Sequence, residues 1–271
     1  MTLDPDAIRS FEYSRWQRAA AAYAATFANA TGPFIDSLLD AARVGRGVQM
    51  LDIACGPGFV ASRAAMRGAG ATGLDFSPAM LAVARSYVEA INFDQGDAEA
   101  LPYADGEFDA VVSNFGIHHV PRPALALREA HRVLRSGGRV AFSFWAGLNE
   151  NIAWKLLFDA IARHGDQEAS LAPPPGGGFG SAAQCADALR QVGFGDCATE
   201  LVRATWHHAD AQALVESLRA GTARMAAMIE AQRPAAMPAI IADIDESAKR
   251  FRDADGIAVP IAAVIAFGVK P

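Results

Sequence analysis

Short apolar runs alternate with longer helical segments along the first half of the chain. The apolar runs cover residues 48–54, 71–74, 91–95, 108–113 and 139–145. Continuous apolar runs of this length, separated by segments with helical periodicity, are typical of buried strands in a parallel sheet. The regular alternation therefore predicts a doubly wound α/β sheet, mostly parallel, with helices on both of its faces.

The flanking segments follow other patterns. Aromatic and apolar residues recur at steps of three and four from Pro5 to about Val44, which predicts one or two amphipathic helices before the sheet. The run of proline and glycine at 173–178 cannot lie inside a helix or strand, so we expect a loop there. After residue 145 we expect an irregular stretch, a helix at 181–192, a strand near 198–206, two helical segments at 210–252 and a last strand at 257–269.

Local helix signals agree with this order of elements. Ser77 followed by Pro78 is typical of a helix N-cap with proline in the first turn, while Gly68 and Gly137 stand where two helices should end. A length of 271 residues is near the upper limit for one hydrophobic core. We expect one domain, 1–271, with N-terminal helices in 1–44, a ligand-binding core in 45–145, and the remaining strands in 146–271 with a helical insertion or lid at about 209–253.

Composition and charge argue against several classes of protein. With 52% hydrophobic and 20% charged residues, the chain is expected to be globular. A net charge of −6 without a concentrated basic run argues against a nucleic-acid partner. No apolar stretch approaches the roughly 20 residues of a membrane helix, and the start is acidic. Three widely spaced cysteines suit a reducing compartment, so a cytoplasmic location is expected.

The first strand leads into a glycine-rich turn, LDIACGPG at 51–58, that opens a helix. Ligands of doubly wound sheets bind at the carboxyl ends of the strands, where glycines allow close approach of the backbone. Residues 56–61 also match the GxGxxA dinucleotide pattern, so an NAD(P)-dependent oxidoreductase is an alternative. Asp52 favours a cationic cofactor, because a carboxylate here repels a pyrophosphate but attracts an ammonium or sulfonium group.

Acidic residues also stand at the ends of the next two strands. Asp75 lies 17 positions after Gly58, the kind of spacing at which a carboxylate accepts hydrogen bonds from both hydroxyls of a ribose. Asp97 follows the third strand, where it could accept from an adenine amino group while Phe76 or Met80 packs on the ring. Three acidic strand ends are therefore expected to converge on one crevice.

Four segments, LDIACGPG, TGLDFSPAML, QGDAEALPYADGEFDAVVSNFGIHHV and VLRSGGRVAFSFW, follow each other in order. Over about residues 45–145 they resemble the class I, seven-stranded, Rossmann-like S-adenosylmethionine-dependent methyltransferases, in particular the ubiquinone/menaquinone-biosynthesis-like group. This resemblance implies S-adenosylmethionine as cofactor, S-adenosylhomocysteine as product, and in-line transfer of a methyl group to O, N or C of a small molecule. A catalytically silent module that binds the same cofactor is a further alternative.

The resemblance also implies which residues bind the cofactor. Alanine at position 54 replaces the commoner glycine, which is expected to cost only a methyl group near the ligand. Tyr23 resembles an N-terminal aromatic residue that closes over the cofactor, although Tyr23 and Trp16 could equally be core aromatics. The implied cofactor-binding residues are Tyr23, Asp52, Ala54, Gly56, Gly58, Asp75, Phe76, Met80, Asp97, Ala98 and Asn114.

Histidines and one cysteine complete the candidate chemistry. His118 and His119 follow the fourth strand, close to the expected methyl group, so either is a candidate general base, with packing or helix capping as the alternative role. His207 and His208 are weaker candidates, and neither pair has a third residue at metal-ligand spacing, so no metal is expected. Cys55 is expected to be a buried packing residue, because neighbouring acids raise the pKa of a thiol.

No motif identifies the acceptor pocket. We expect it between the N-terminal helices, the region from Trp145 to Phe179 and the insertion near Arg219 to Met237. Because a sulfonium is a good leaving group, holding the reactants in near-attack geometry can supply about 7–11 kcal/mol of barrier reduction, and an essential base is optional.

Overall fold

A computed structural model describes residues 4–166, 179 and 181–271. The strands are β1 (Gln49–Ile53), β2 (Gly70–Asp75), β3 (Asn92–Gln95), β4 (Phe108–Asn114), β5 (Leu134–Trp145), β6 (Gly195–His208), β7 (Arg252–Asp253) and β8 (Gly256–Val269). They form one sheet in the order β3-β2-β1-β4-β5-β8-β6, and the two-residue β7 pairs with β8. β1 to β5 pair in parallel, whereas β8 pairs antiparallel with both β5 and β6. The predicted doubly wound, mostly parallel sheet is confirmed.

Helices surround this sheet. They are α1 (Pro5–Ala25), α2 (Ala28–Thr31), α3 (Ile35–Ala41), α4 (Phe59–Met66), α5 (Pro78–Tyr87), α6 (Pro123–Val133), α7 (Ile152–His164), α8 (Ala182–Gln191), α9 (Ala211–Gly221), α10 (Arg224–Glu230) and α11 (Met237–Ala248). Short 3-10 turns lie between these elements, at Gly32–Phe34, Ile117–His119, Pro234–Ala236 and Lys249–Phe251. The expected insertion therefore consists of α9 to α11, between β6 and β8.

Alternating side chains of the strands are buried on the two faces of the sheet. Leu51 and Val111 lie in one buried cluster with residues of α6 and α8. Met50 and Val112 lie in a second cluster with residues of α3 and α4. A third cluster joins the insertion to α7 and the outer strands, with Trp154 among its members. The insertion is thus attached to the rest of the fold through a buried apolar surface.

The strand order fixes where a ligand crevice opens. β1 pairs with β2 on one side and β4 on the other, and the chain leaves toward β2 and β3 before it crosses back to β4. The connections after β1 and β4 therefore diverge at the carboxyl ends of these two strands. This switch point is where open α/β sheets bind their ligands.

Two local expectations differ from the structure. α7 occupies 152–164, where we expected an irregular stretch; its periodic apolar side chains, including Trp154 and Leu157, are buried in the third cluster. Gly68 does follow the end of α4 with φ +85°, but Gly137 lies inside β5, four residues beyond the end of α6. The expected loop at 173–178 lies outside the described residues.

Candidate functional site

The turn after β1 places three residues in the left-handed region, with φ of +54° at Ala54, +52° at Gly56 and +79° at Gly58. A Cβ at position 58 would lie 2.6 Å from the ring of Phe93, so both conformation and space require glycine there. For an alanine, the left-handed conformation costs roughly 1–2 kcal/mol. The expectation that Ala54 costs only a methyl group is therefore wrong, because it also strains the backbone.

The Asp75 carboxylate is fixed at the end of β2 by backbone donors. Its Oδ2 accepts a hydrogen bond from the N–H of Gly56 at 2.8 Å, and its Oδ1 accepts one from the N–H of Ser77 at 2.8 Å. Ser77 in turn caps α5, as predicted, through a hydrogen bond from the N–H of Met80. Burial raises the pKa of Asp75 to about 6, although the backbone donors oppose the rise.

Asp52, near the end of β1, is a buried carboxylate with only 1% of its surface exposed. Among the described residues, neither of its oxygens has a hydrogen-bond partner of normal geometry. Burial, and then the charge of Asp75, raise its pKa well above the usual value, which the N–H of Ala61 offsets only in part. Such a group is costly to bury without a partner. A cationic ligand nearby would relieve this cost.

Cys55 behaves as the sequence predicts. Its side chain is buried, and a Cβ on Gly73 would lie 2.9 Å from its Sγ, so the thiol fills the space beside that glycine. Burial, followed by the charges of Asp75 and Asp52, raises its pKa well above the usual value. A thiol with these properties is a poor nucleophile at neutral pH.

Two adjoining chambers occupy the crevice at the switch point. We call one the strand-end chamber; it is lined by Arg9, Glu12, Ala54, Leu74, Asp75, Phe76, Gly96, Asp97, Ala98, Gly116, His119, Val120 and Pro121. We call the other the aromatic chamber; it is lined by Trp16, Tyr23, Phe27, Thr31, Ala54, Gly56, Asp75, Phe76, Met80, Asn114, Phe115, Gly116, His119 and Trp145. They hold about 440 and 570 Å³ of space between atoms.

The chambers bring together most of the predicted cofactor-binding residues. Asp52 and Gly58 are the exceptions. Gly58 faces Phe93, and Asp52 lines neither chamber. Burial raises the pKa of Tyr23, which lines the aromatic chamber, to about 12, and the charges of Asp52 and Asp75 add to the rise.

The aromatic chamber ends in stacked rings. Phe115 and Trp145 lie parallel, with ring centroids 4.0 Å apart and an interplanar angle of 22°, and Phe27 meets Trp145 edge-on at 6.1 Å. Phe115 has φ +56°, which is rare for a bulky residue. Its N–H donates to Oγ of Ser143, and that hydroxyl donates to Oδ1 of Asn114. These hydrogen bonds hold a strained backbone at the chamber wall, a common feature of functional sites.

Asn114 is also tied to the N-terminal helices. Its Nδ2 donates to the backbone carbonyl of Thr31 at 3.2 Å, and the hydroxyls of Thr31 and Tyr23 are 3.0 Å apart. Two structural contacts thus occupy its amide. Asn114 lines the aromatic chamber and also joins β4 to α2.

Asp97 is paired with α1, which the sequence did not predict. Arg9 forms an ion pair with Asp97 Oδ2 and another with Glu99 at 2.9 Å. The N–H of Glu99 donates to Asp97 Oδ1 at 2.9 Å. Glu99 also binds Arg122 at 2.7 Å. Arg9 therefore partly neutralises the acidic residue expected at the adenine position and attaches α1 to the loop after β3.

The two neighbouring histidines differ in their surroundings. His118 does not line either chamber and meets the ring of Phe144 edge-on; burial lowers its pKa well below the usual value. His119 lines both chambers, and its Nδ1 is 3.0 Å from Oε2 of Glu12. The ring of Trp16 meets it edge-on at 5.0 Å. Of the two predicted candidates, only His119 faces the crevice.

Some residues that line the crevice could not be identified from the sequence. Glu12, Arg9 and Phe115 were missed, and only the position of Phe115 within the SNFGIHH segment signals its location. Among the described residues, the insertion does not line either chamber, unlike our expectation for 219–237; it reaches the crevice through Arg224, whose guanidinium binds Glu12 at 2.7 Å.

In the described part of the chain, no group of three or more His, Cys, Asp or Glu side chains is placed to hold a metal ion. The weaker histidine candidates lie elsewhere: His207 is 3.8 Å from Asp253, and burial lowers the pKa of His208 to about 4. None of the helices described is both long and apolar enough to span a membrane.

Part of the chain is similar in sequence to known proteins. The model of a family described as a methyltransferase domain matches residues 51–142. An uncharacterized protein of Mycobacterium tuberculosis is 37% identical over 139 residues, which cover 50% of this chain and 50% of that protein. The ubiquinone/menaquinone biosynthesis C-methyltransferase UbiE of Methylobacterium nodulans is 47% identical over 102 residues, which cover 35% of this chain and 40% of UbiE.

Among solved structures, phosphoethanolamine N-methyltransferase 2 of Haemonchus contortus, in complex with phosphomonomethylethanolamine and S-adenosylhomocysteine, is 20% identical with a TM-score of 0.53. The match covers 88% of this chain and 52% of that enzyme, and it is a likeness of fold. This chain spans about half the length of the first relatives that it matches.

The strand order, the glycine turn and the acidic strand ends define the class I methyltransferase fold. Over residues 51–142 the chain matches a methyltransferase domain, and its fold is that of the class I S-adenosylmethionine-dependent methyltransferases.

Proposed function

We propose that the protein binds S-adenosylmethionine across the two chambers and transfers its methyl group to a small molecule in the aromatic chamber. When bound, this cofactor supplies a methyl group on a positively charged sulfur, which leaves with the electron pair of the carbon–sulfur bond. The observation that carries the proposal is Asp52, a buried carboxylate whose oxygens have no hydrogen-bond partner of normal geometry among the described residues. A sulfonium cofactor with an ammonium group would supply a compensating positive charge.

The residues present suit the parts of this cofactor. Asp75, held rigid by Gly56 and Ser77, can accept from the ribose hydroxyls, and Asp97 with Ala98 can border the adenine. Ala54 lines both chambers and Gly56 lines the aromatic chamber, so these two residues can border the methionine part.

The acceptor would lie against rings rather than charges. Trp16, Phe27, Phe115 and Trp145 supply the wall of the aromatic chamber, and the hydroxyl of Tyr23 is occupied by Thr31. Aromatic walls bind planar apolar molecules well. The relatives named as methyltransferases support transfer to a small molecule, and the chain's own residues would orient that molecule and exclude water.

Titration calorimetry with S-adenosylhomocysteine tests the cofactor site. We expect saturable heat with the wild type and at least tenfold weaker binding for Asp52→Asn, because the amide keeps the shape but loses the charge. Asp187→Asn, which removes an exposed carboxylate of α8, is the matched control and should bind like the wild type. No heat with the wild type would overturn the proposal, and heat with NADH instead would favour the dinucleotide alternative.

Mass spectrometry tests the methyl transfer. We expect a methylated product when the protein is incubated with S-adenosylmethionine and a library of planar aromatic compounds. A protein that binds S-adenosylhomocysteine but methylates no compound of a broad metabolite library is instead the silent binding module.

A further inference from the structure

Glu12 lies at the centre of a buried polar cluster that joins three separate segments. It belongs to α1, and only 1% of its surface is exposed. Its Oε2 accepts from Nε1 of Trp16 at 2.9 Å and is 3.0 Å from Nδ1 of His119. Its Oε1 accepts from Nε of Arg224 at 2.7 Å. Burial raises the pKa of Glu12, but His119 and Arg224 together bring it below its usual value.

These contacts determine which ring nitrogen of His119 carries hydrogen. The indole of Trp16 and the guanidinium of Arg224 can only donate, and an ionised Glu12 can only accept. Nδ1 of His119 must therefore donate to Glu12. In the neutral imidazole, Nε2 is then left with a lone pair. Among the described residues, none hydrogen-bonds to Nε2, while the ring of His119 lines both chambers.

Other charged and titratable groups also surround His119. His118 is its chain neighbour, with ring centroids 4.2 Å apart. Asp75 lines both chambers with His119, and the paired Arg9 and Asp97 line the strand-end chamber. Glu12 is the only one of them within hydrogen-bond distance of the ring, so it is the group that orients it.

We propose that Glu12 is a positioning residue, which holds His119 with Nε2 toward the chambers so that it takes the proton of a hydroxyl-bearing acceptor. The inference rests on the proposed function. As the acceptor oxygen bonds to the methyl carbon, its O–H bond breaks and the proton passes to Nε2. The carbon–sulfur electrons remain on sulfur, and the imidazolium that forms is stabilised by the Glu12 carboxylate.

Glu12→Gln separates this role from simple packing. The Gln amide has one acceptor oxygen and one donor NH₂, and neither Arg224 nor Trp16 can accept from that NH₂. Arg224 is a charged donor that approaches Oε1 with two nitrogens, so the oxygen is expected to face Arg224, and the NH₂ to face His119 with loss of the hydrogen bond from Trp16. His119 is the partner that can respond, by moving its hydrogen from Nδ1 to Nε2. Nε2 would then no longer be able to accept a proton from a substrate.

Long-range ¹H–¹⁵N NMR of the full chain reads this tautomer directly, with His119→Gln used to assign the signals. We expect the Nδ1–H form in the wild type and the Nε2–H form in Glu12→Gln. Trp16→Phe, which removes one donor to Glu12 and leaves the other contacts, should keep Nδ1–H. An Nε2–H tautomer in the wild type overturns the proposal even if Glu12→Gln does not fold, and so does an unchanged tautomer in a folded Glu12→Gln.

Kinetics with two phenols test the proton transfer. The probes are 1-naphthol, which is neutral at pH 7.5, and 4-nitro-1-naphthol, whose nitro group leaves it ionised. With saturating S-adenosylmethionine, Glu12→Gln should lower kcat for 1-naphthol about 100-fold, the low end of general-base effects, with KM changed less than threefold. For the ionised phenol, kcat should change less than threefold, since no proton has to be removed.

The outcomes are distinguishable from those of the cofactor proposal. An equal loss on both phenols indicates a structural role and overturns the inference, and so does absence of transfer to both by a wild type that binds S-adenosylhomocysteine. Absence of S-adenosylhomocysteine binding instead overturns the cofactor site, whatever tautomer His119 shows.

Discussion

The strand-end chamber and the aromatic chamber share a wall but are built differently. The strand-end chamber depends on backbone N–H groups and on carboxylates such as Asp75, which follow consecutive strands of the sheet. The aromatic chamber depends on rings from distant segments, with Trp16 on α1 and Trp145 at the end of β5. The first is therefore encoded in short motifs and the second in tertiary packing. We expect cofactor binding to tolerate changes in the rings but not in the carboxylates.

The largest effect is expected for Asp75→Ala. The variant loses the acceptor for the ribose hydroxyls and leaves the N–H groups of Gly56 and Ser77 without their acceptor. We expect the Kd for S-adenosylhomocysteine to rise at least 100-fold, which is about 2.7 kcal/mol, measured by calorimetry. Asp105→Ala, which removes an exposed carboxylate, should leave the Kd unchanged. A Kd within threefold of the wild type for Asp75→Ala would show that the strand-end chamber is not the ribose site.

A fall in pH should weaken binding of S-adenosylhomocysteine through the carboxylate of Asp75. The pKa of Asp75 in the free protein is raised to about 6, so the carboxylate gains a proton as the pH falls through 6 and loses acceptor capacity. At pH 5 only about one molecule in ten keeps it ionised, so the Kd should rise roughly tenfold between pH 7.5 and 5. A Kd independent of pH over this range would contradict the assignment.

The turn that joins the chambers allows a paired test of backbone strain. Ala54 and Gly56 have nearly the same φ, and a Cβ on Gly56 would meet only Sδ of Met80, at 4.0 Å. Ala54→Gly should raise the free energy of unfolding by about 1 kcal/mol, and Gly56→Ala should lower it by about 1 kcal/mol. Urea unfolding measures both. Effects of the same sign in the two variants would exclude left-handed strain as the cause.

The smallest effect on cofactor binding is expected in the aromatic chamber. Trp145→Leu removes the ring stacked on Phe115 without touching the carboxylates. We expect the Kd for S-adenosylhomocysteine to change less than twofold, while binding of 1-naphthol in the presence of S-adenosylhomocysteine weakens at least tenfold. A tenfold loss of S-adenosylhomocysteine affinity in a folded variant would remove the distinction between the chambers.

The sequence predicted the parts of the molecule that depend on local chemistry. The mostly parallel sheet follows from the alternation of strands and helices, and Asp75 follows from its position at a strand end. Glu12 could not be found in this way, because its partners His119 and Arg224 lie 107 and 212 positions away along the chain. A single Glu in a helix is usually a solvated residue. The strain at Ala54 was also missed, because residue type does not reveal φ at a turn.

The close approach of Ala54 and Gly116 has a consequence for how this sequence can vary. A Cβ on Gly116 would lie 2.6 Å from the Cβ of Ala54, so the two positions cannot both carry side chains without movement of the backbone. The same Cβ would lie 2.6 Å from Oγ of Ser113, so in an evolutionary path a side chain at 116 would first require both glycine at 54 and a moved or lost hydroxyl at 113. The order of these substitutions is therefore constrained, and the residues at 54 and 113 determine which mutations position 116 accepts.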